Sequence, residues 1–276
     1  LVSIFENQAI EIEKSCTKNN GGMKMKALAS DFDRTLFFYD ESGSYYRLED
    51  VQAIKHFQSL GNLFGVCTGR SYKGIEDFNP HQIDYDFYIL CSGAKILDKE
   101  GNLIYQKFID KKIAQSIYEQ YEAVDTSIVY QGDMYVLNRT FDLSPRVKLI
   151  TSFNQVGEQF EAFSLHFKNN DEAGKEYTKI IDMFGDVIDV YQNERHLDFA
   201  AKGCSKGKGI KRIIEFYGLA YEDMAAIGDS WNDIPMLKSV ENSFTFNRSH
   251  QTVKNVAKYL VDGIDGCIEE LIKCHK

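Results

Sequence analysis

Short apolar runs that stop abruptly at polar residues, separated by helix-spaced segments, constrain this chain most. Residues 25–30 form one such run and residues 63–67 a second. Between them, Val51, Ile54, Phe57 and Leu60 recur at helical spacing from about Leu48. A short helix from Ser71 and a strand over 85–90 extend the pattern. Strand–helix–strand alternation predicts a parallel sheet with right-handed crossovers.

The ends of these runs carry the chemistry. The first stops at Asp31-Phe32-Asp33-Arg34-Thr35. In an extended strand, residues i and i+2 point to the same side. Two carboxylates so placed repel unless a cation or a proton intervenes, so the string calls for a metal, a shared proton, or both. The second run stops at Thr68-Gly69. A third, 224–227, ends in Gly228-Asp229-Ser230-Trp231-Asn232-Asp233, and Lys206 stands where a helix should begin. In open α/β sheets, ligands bind beyond the carboxyl ends of the strands, where all four strings can converge.

With these strings in this order, the chain resembles the haloacid dehalogenase (HAD) superfamily of phosphotransferases. The likeness is to the Cof-type subclass IIB, which has a large α/β cap. The string from Gly228 through Asp233-Ile234-Pro235-Met236-Leu237 is the most specific match, and the resemblance runs from about Met23 to the C-terminus. It implies a Rossmann-like parallel-sheet α/β core with an inserted α+β cap. The expected division is 23–96 and 201–276 for the core, with 97–200 for the cap. Within that insert the sequence predicts a helix near 111–124, a hairpin around Gln131-Gly132-Asp133, a strand over 160–167, a helix over 171–184 and strands near 187–192 and 196–200. Beyond it come a helix after Lys206, strands over 224–227 and 243–246, and two closing helices.

The resemblance also assigns roles. Asp31 is implied to be the nucleophile that forms an aspartyl-phosphate, and Asp33 the general acid, then base. A phosphate dianion approaching a carboxylate meets about 4 kcal/mol of repulsion per charge pair at 4 Å and an effective dielectric near 20. A hard, oxygen-seeking cation cancels it, and Mg²⁺ suits carboxylates, phosphate and water together. The implied ligands are the Asp31 side chain, the Asp33 backbone carbonyl, Asp229 and Asp233, the last directly or through water. Thr68 and Gly69 are implied to meet phosphate oxygens. Lys206 supplies fixed positive charge, and Asn232 a hydrogen bond to Lys206 or the acid loop. Lys202, Lys208 and Lys211 read as solvated lysines, and Cys67 as a small buried hydrophobe.

Two positions depart from the family pattern. Arg34 stands where the family usually has Gly, and Ser92-Gly93-Ala94 stands where it often has Asn-Gly-Ala. Substrate choice belongs to the cap, where Arg139, Arg195 and His196 are the cations nearest expected loops and Tyr135 a sugar-stacking face, with a plain surface or packing role the stronger reading for each.

Composition sets limits. A net charge of −9 over 276 residues argues against broad nucleic-acid or anionic-membrane binding. Six scattered cysteines without paired spacing fit reduced thiols in a cytoplasmic protein. No apolar stretch reaches the ~18 residues of a membrane span. Residues 1–22 lack a signal-peptide pattern and are assigned no chemistry.

The leading expectation is a Mg²⁺-dependent phosphatase acting on small phosphorylated metabolites, sugar phosphates foremost. A phosphomutase built on the same aspartate pair is the alternative, and a non-enzymatic metabolite-binding protein the third. The set does not suit a dehalogenase, and an ion-pumping ATPase would need membrane helices. Oligomeric state is not legible.

Overall fold

A computed structural model describes residues 24–41, 43–79, 83–138 and 147–273. Strand β1 (Ala27–Ser30) leads into a hairpin, β2 (Phe37–Asp40) and β3 (Gly43–Tyr46), which the sequence pattern did not announce. Helix α1 (Leu48–Ser59), β4 (Leu63–Cys67), α2 (Tyr72–Glu76) and β5 (Phe87–Leu90) then alternate as expected. β6 (Lys95–Asp98) and β7 (Leu103–Gln106) follow.

The cap elements are β8 (Ile109–Asp110), α3 (Lys111–Tyr118), β9 (Asp125–Tyr130), β10 (Asp133–Leu137), β11 (Val147–Leu149), β12 (Gln159–Phe160), β13 (Ala162–His166), α4 (Asn170–Phe184), β14 (Ile188–Asn193) and β15 (His196–Ala201). The chain closes with α5 (Lys206–Tyr217), β16 (Met224–Ile227), α6 (Ile234–Leu237), β17 (Asn242–Phe246), α7 (Gln251–Lys254), β18 (Tyr259–Val261) and α8 (Ile264–Lys273).

The large sheet runs β18-β17-β16-β1-β4-β5-β6-β7. It is parallel from β18 to β5, and β6 pairs antiparallel with both β5 and β7. Its central strands are apolar on both faces because helices cover both. Leu28, Phe64, Val66 and Leu90 pack with Val51, Ile54 and Phe57 of α1 and with Ile268 and Leu271 of α8. Ala27, Ala29, Cys67 and Ile89 pack with Ile210 and Ile213 of α5. Each large side chain so buried contributes about 1.5–3 kcal/mol before chain entropy is counted.

The expected core boundary at residues 96/97 needs correction. It cuts through β6, and the β6–β7 hairpin carries the large sheet on to Gln106. An antiparallel hairpin reads like the antiparallel cap that follows, so local pattern does not separate them. Residues 107–108 and 202–205 are the two chain crossings between the units, and Lys107 Nζ donates to the Lys202 carbonyl at 2.7 Å.

The cap sheet runs β11-β10-β9-β13-β15-β14. Its register puts Ile128, Phe163 and Phe199 in one row, and all three are buried. The next row, on the opposite face, holds Ser127, Ser164 and Asp198. One face is thus apolar and the other polar.

Candidate active site

The strand ends converge as the open-sheet rule requires. Asp31 N–H donates to the Ile227 carbonyl at 2.9 Å, so the β1–β16 ladder runs one step past the strand and fixes Asp31 beside Asp229. Thr68 is pinned from both sides, its N–H to Ile89 O at 2.8 Å and its carbonyl accepting from Ser92 N at 3.0 Å. Its hydroxyl oxygen accepts from Arg70 N at 3.2 Å. Ser205 caps α5 by accepting from Lys208 N, which sets Lys206 in the first turn, pointing inward.

Lys206 is the centre of the site. Its Nζ lies 2.5 Å from Asp31 Oδ1 and 2.6 Å from Asp233 Oδ1, with Lys206, Asp31 and Asp233 only 2%, 6% and 0% exposed. Burial pulls the Lys206 ammonium down, but Asp233 and Asp31 outweigh it and hold it above its ordinary value. Burial pushes the Asp31 carboxyl up, aided by Asp233 and opposed by Lys206. Asp229 is pushed up to about 6 by burial and then by Asp233, while Thr35 Oγ1 donates to it at 3.1 Å.

The side chains of Asp31, Asp229 and Asp233 each bring one oxygen within 4.8 Å of the others. Three hard oxygen donors, two of them carboxyls pushed up by burial and then by their acidic neighbours, are the arrangement that a divalent cation relieves, so these residues fit Mg²⁺. Asp33 contributes no side-chain oxygen to this group.

Asp233 does more than the sequence suggested. Its Oδ2 accepts from both Asp229 N and Ser230 N at 3.0 Å while Oδ1 takes Lys206, so one carboxylate shapes the loop and anchors the lysine. Gly228 makes room for it, since a Cβ there would sit 2.5 Å from Asp233 Cγ. Asn232 departs from expectation. Its Oδ1 is buried without a hydrogen-bond partner among the described residues, and Lys206 is held by the two carboxylates instead, which outcompete a neutral amide.

Asp33 faces away from this group. Arg70 grips it with Nε to Oδ2 at 2.9 Å and Nη2 to Oδ1 at 2.7 Å, and Tyr39 O–H donates to Oδ1 at 2.6 Å. Burial alone would raise the Asp33 carboxyl, but Arg70 and Tyr39 override it and hold it below its ordinary value.

The two family departures have a common backbone cause. Arg34 has φ 59° and Ser92 φ 54°, both left-handed, where Gly or Asn is comfortable and other residues are strained. Gly93, at φ 89°, lies against Ser205, whose carbonyl oxygen would be 2.2 Å from any Cβ. Cys67 is buried and its thiol is pushed up by that burial, which leaves it an inert core residue.

The polar cap face lies over the Thr68–Gly69 turn. A Cβ on Gly69 would be 3.8 Å from Asp198 Oδ2 and 3.6 Å from Ser92 Oγ. Ser164 Oγ donates to Asp198 Oδ1 at 2.8 Å, His166 Nε2 meets Ser127 Oγ at 2.8 Å, and His166 Nδ1 meets His196 Nδ1 at 2.8 Å. His196 was legible as a cap candidate, whereas Ser127, Ser164, His166 and Asp198 emerge only from register. Tyr135 pairs with Ile128 and so lies on the opposite, apolar face, against Tyr130 and Lys148, rather than on the polar face with Asp198. Arg195 is exposed at the β14–β15 turn, and Arg139 lies outside the described residues.

The model of the haloacid dehalogenase-like hydrolase family matches residues 28–265. Phosphatase YwpJ of Bacillus subtilis is 27% identical, over 84% of this chain and 93% of its own. The 5-amino-6-(5-phospho-D-ribitylamino)uracil phosphatase YbjI of Escherichia coli is 21% identical, over 91% and 97%. The solved HAD subclass IIB sugar phosphatase BT4131 shares the fold, with a TM-score of 0.74 at 20% identity over 91% of this chain and 98% of that one. No helix among the described residues is long and apolar enough to cross a membrane. With Asp31, a buried lysine and an acidic cluster gathered at the strand ends beneath an inserted cap, the chain belongs to the haloacid dehalogenase-like hydrolase family and is a phosphoric monoester hydrolase.

Proposed function

We propose that the chain is a Mg²⁺-dependent phosphatase of small hydroxyl-rich phosphate monoesters, sugar phosphates foremost, working through an aspartyl-phosphate. The observation that carries this reading is Lys206 bridging Asp31 and Asp233 beside Asp229, at the foot of the polar cap face.

Asp31 attacks phosphorus in line with the leaving oxygen, while Lys206 and the Thr68–Gly69 turn hold the phosphoryl oxygens. Mg²⁺ on Asp31, Asp229, Asp233 and the Asp33 carbonyl would neutralise the phosphate charge during transfer. Asp33 then gives its proton to the departing alkoxide and takes one from the water that cleaves the aspartyl-phosphate. In the arrangement described, Arg70 keeps Asp33 ionised, so the acid step requires Asp33 to leave Arg70 and collect a proton as substrate arrives.

The cap supports hydroxyl-rich leaving groups. Ser127, Ser164, Asp198 and the two histidines offer alternating donors and acceptors and no apolar slot. Asp198 accepts well from sugar hydroxyls and repels an anion placed directly against it.

The test is phosphate release from sugar phosphates, nucleotides, pyridoxal phosphate and an aryl phosphate, with Mg²⁺, with EDTA, and with Asp31→Asn. Release that needs both Mg²⁺ and Asp31 bears the reading out. Release that survives Asp31→Asn would sink it, and phosphoryl exchange with a sugar bisphosphate in place of hydrolysis would favour a mutase.

A further inference from the structure

A second recognition element adjoins the proposed metal site. A cavity of about 470 Å³ opens between the β2–β3 hairpin, the cap and the loop after β16. Asp229 is on one wall, Arg248 and Arg34 are on another, and Trp231 and His250 supply an aromatic side with ring centroids 5.2 Å apart.

Arg248 is preorganised. Its guanidinium stacks 3.7 Å from the Phe246 ring centroid and 5.5 Å from that of Phe38, and it donates to the Arg34 carbonyl. Among the described residues it has no carboxylate within ion-pair distance. Burial outweighs the pull of Asp229 and holds it below its ordinary value. A guanidinium packed between rings and lacking a direct counter-charge is ready for an incoming anion.

Arg34 is brought to the same cavity at a cost. It is 61% exposed and ion-paired with Glu194 of the cap, which also lines the cavity. Both partners have left-handed backbones, φ 59° and 52°. At Glu194 this is the ordinary geometry of the two-residue turn between Asn193 and His196, and that turn is what carries the carboxylate across the cap–core gap to Arg34.

We propose that this cavity is a subsite for a second anionic group of the substrate, a phosphate or carboxylate held by Arg248 with Arg34 at the rim. The proposal rests on the phosphomonoesterase reading and narrows its substrates to phosphate monoesters carrying a second anion. Asp229 belongs to both the acidic cluster with Asp31 and the wall of this cavity, so a ligand held by one phosphate at that cluster meets Arg248 with its far end. Asp198 lies on the cap face instead, where the neutral hydroxylated part of such a ligand would pass.

The test is calorimetric binding to the Asp31→Asn protein in Mg²⁺, which needs no turnover. Fructose 1,6-bisphosphate should bind about tenfold or more tighter than fructose 6-phosphate, the scale of one charge-assisted contact. Adding Arg248→Met or Arg248→Gln should bring the ratio to within about twofold, whereas Arg248→Lys should keep most of it. Two neutral replacements guard against one that fails to fold, checked by thermal unfolding. Equal affinities in the parent, or a preference that survives both neutral replacements, overturns the proposal. Sulfate binding that depends on Arg248, without any preference for the bisphosphate, would make this a free-anion site and also overturn it. Phosphate release by the wild-type protein is measured separately on both sugars. Its absence would count against the phosphatase reading while leaving the binding ratio interpretable.

Discussion

The Arg70 guanidinium closes on both carboxylate oxygens of Asp33, at 2.9 and 2.7 Å. The residue expected to carry the catalytic proton is thereby stored in its ionised form. Its depressed value makes a stabilising contribution that is present above the ordinary carboxylate range and is lost as pH falls through the folded value. Arg70→Met should therefore flatten the acid-side loss of thermal stability. It should also move the alkaline limb of kcat/KM to higher pH, because Asp33 would hold its proton longer. An unmoved alkaline limb would separate Arg70 from the proton step.

Replacing the acid tests its role by leaving group. Asp33→Asn should cut kcat about 10²- to 10⁴-fold on a sugar phosphate, whose alkoxide needs a proton. An aryl phosphate, with its better leaving group, should lose much less. Equal losses on both would assign Asp33 to positioning alone.

Metal binding should be coupled to pH through Asp229. Its folded value, about 6, lies above the ordinary 3.8, so the metal-free fold binds protons more tightly than the unfolded chain between those values. This group thus makes the metal-free protein less stable as pH rises toward 6, and above 6 the full penalty remains. Mg²⁺ should raise Tm most at pH 7–8, with the increment shrinking as pH falls through about 6 and protons compete for the site. A Tm increment independent of pH would exclude Asp229 as a ligand.

Lys206→Met should be costly to the fold as well as to activity. It leaves Asp31 and Asp233 buried without their shared cation, a loss on the order of 3–5 kcal/mol. Urea unfolding in EDTA reads this, and Mg²⁺ should restore part of the deficit by neutralising the same carboxylates. A deficit under about 1 kcal/mol would mean that water already screens the pair.

Gly228→Ala tests the space beneath the acidic loop. The new methyl would meet Asp233 Cγ at 2.5 Å, so either the loop or the carboxylate must move. Overpacking of this kind costs about 1–3 kcal/mol. Activity should fall further than stability, since Asp233 positions both Lys206 and the Asp229 backbone. The comparison is kcat against the urea midpoint.

Much of the candidate site was readable because its parts are local. Asp31, Thr68 and Asp229 each follow an apolar run, and Lys206 follows a capping serine, so chain order and strand direction bring them together. Arg70 as the partner of Asp33 was not readable, since that contact depends on how the β2–β3 hairpin folds back. Nor was the polar cap face, because Ser127, Ser164 and Asp198 share a row only through the pairing of three distant strands. Tyr135 shows the same limit in reverse. A register shift of one residue decides which face a side chain occupies, and here it falls on the apolar one.

The two connecting segments, 107–108 and 202–205, lie side by side and are tied by Lys107 to Lys202. A body hung on two adjacent short straps resists sliding and turns most readily about the line through them, as a door turns on its pins. One strap runs directly into Ser205 and Lys206. A swing of the cap about that line would therefore pull on the helix start that carries the Lys206 ammonium, so that opening the cleft and placing its buried charge would be one motion.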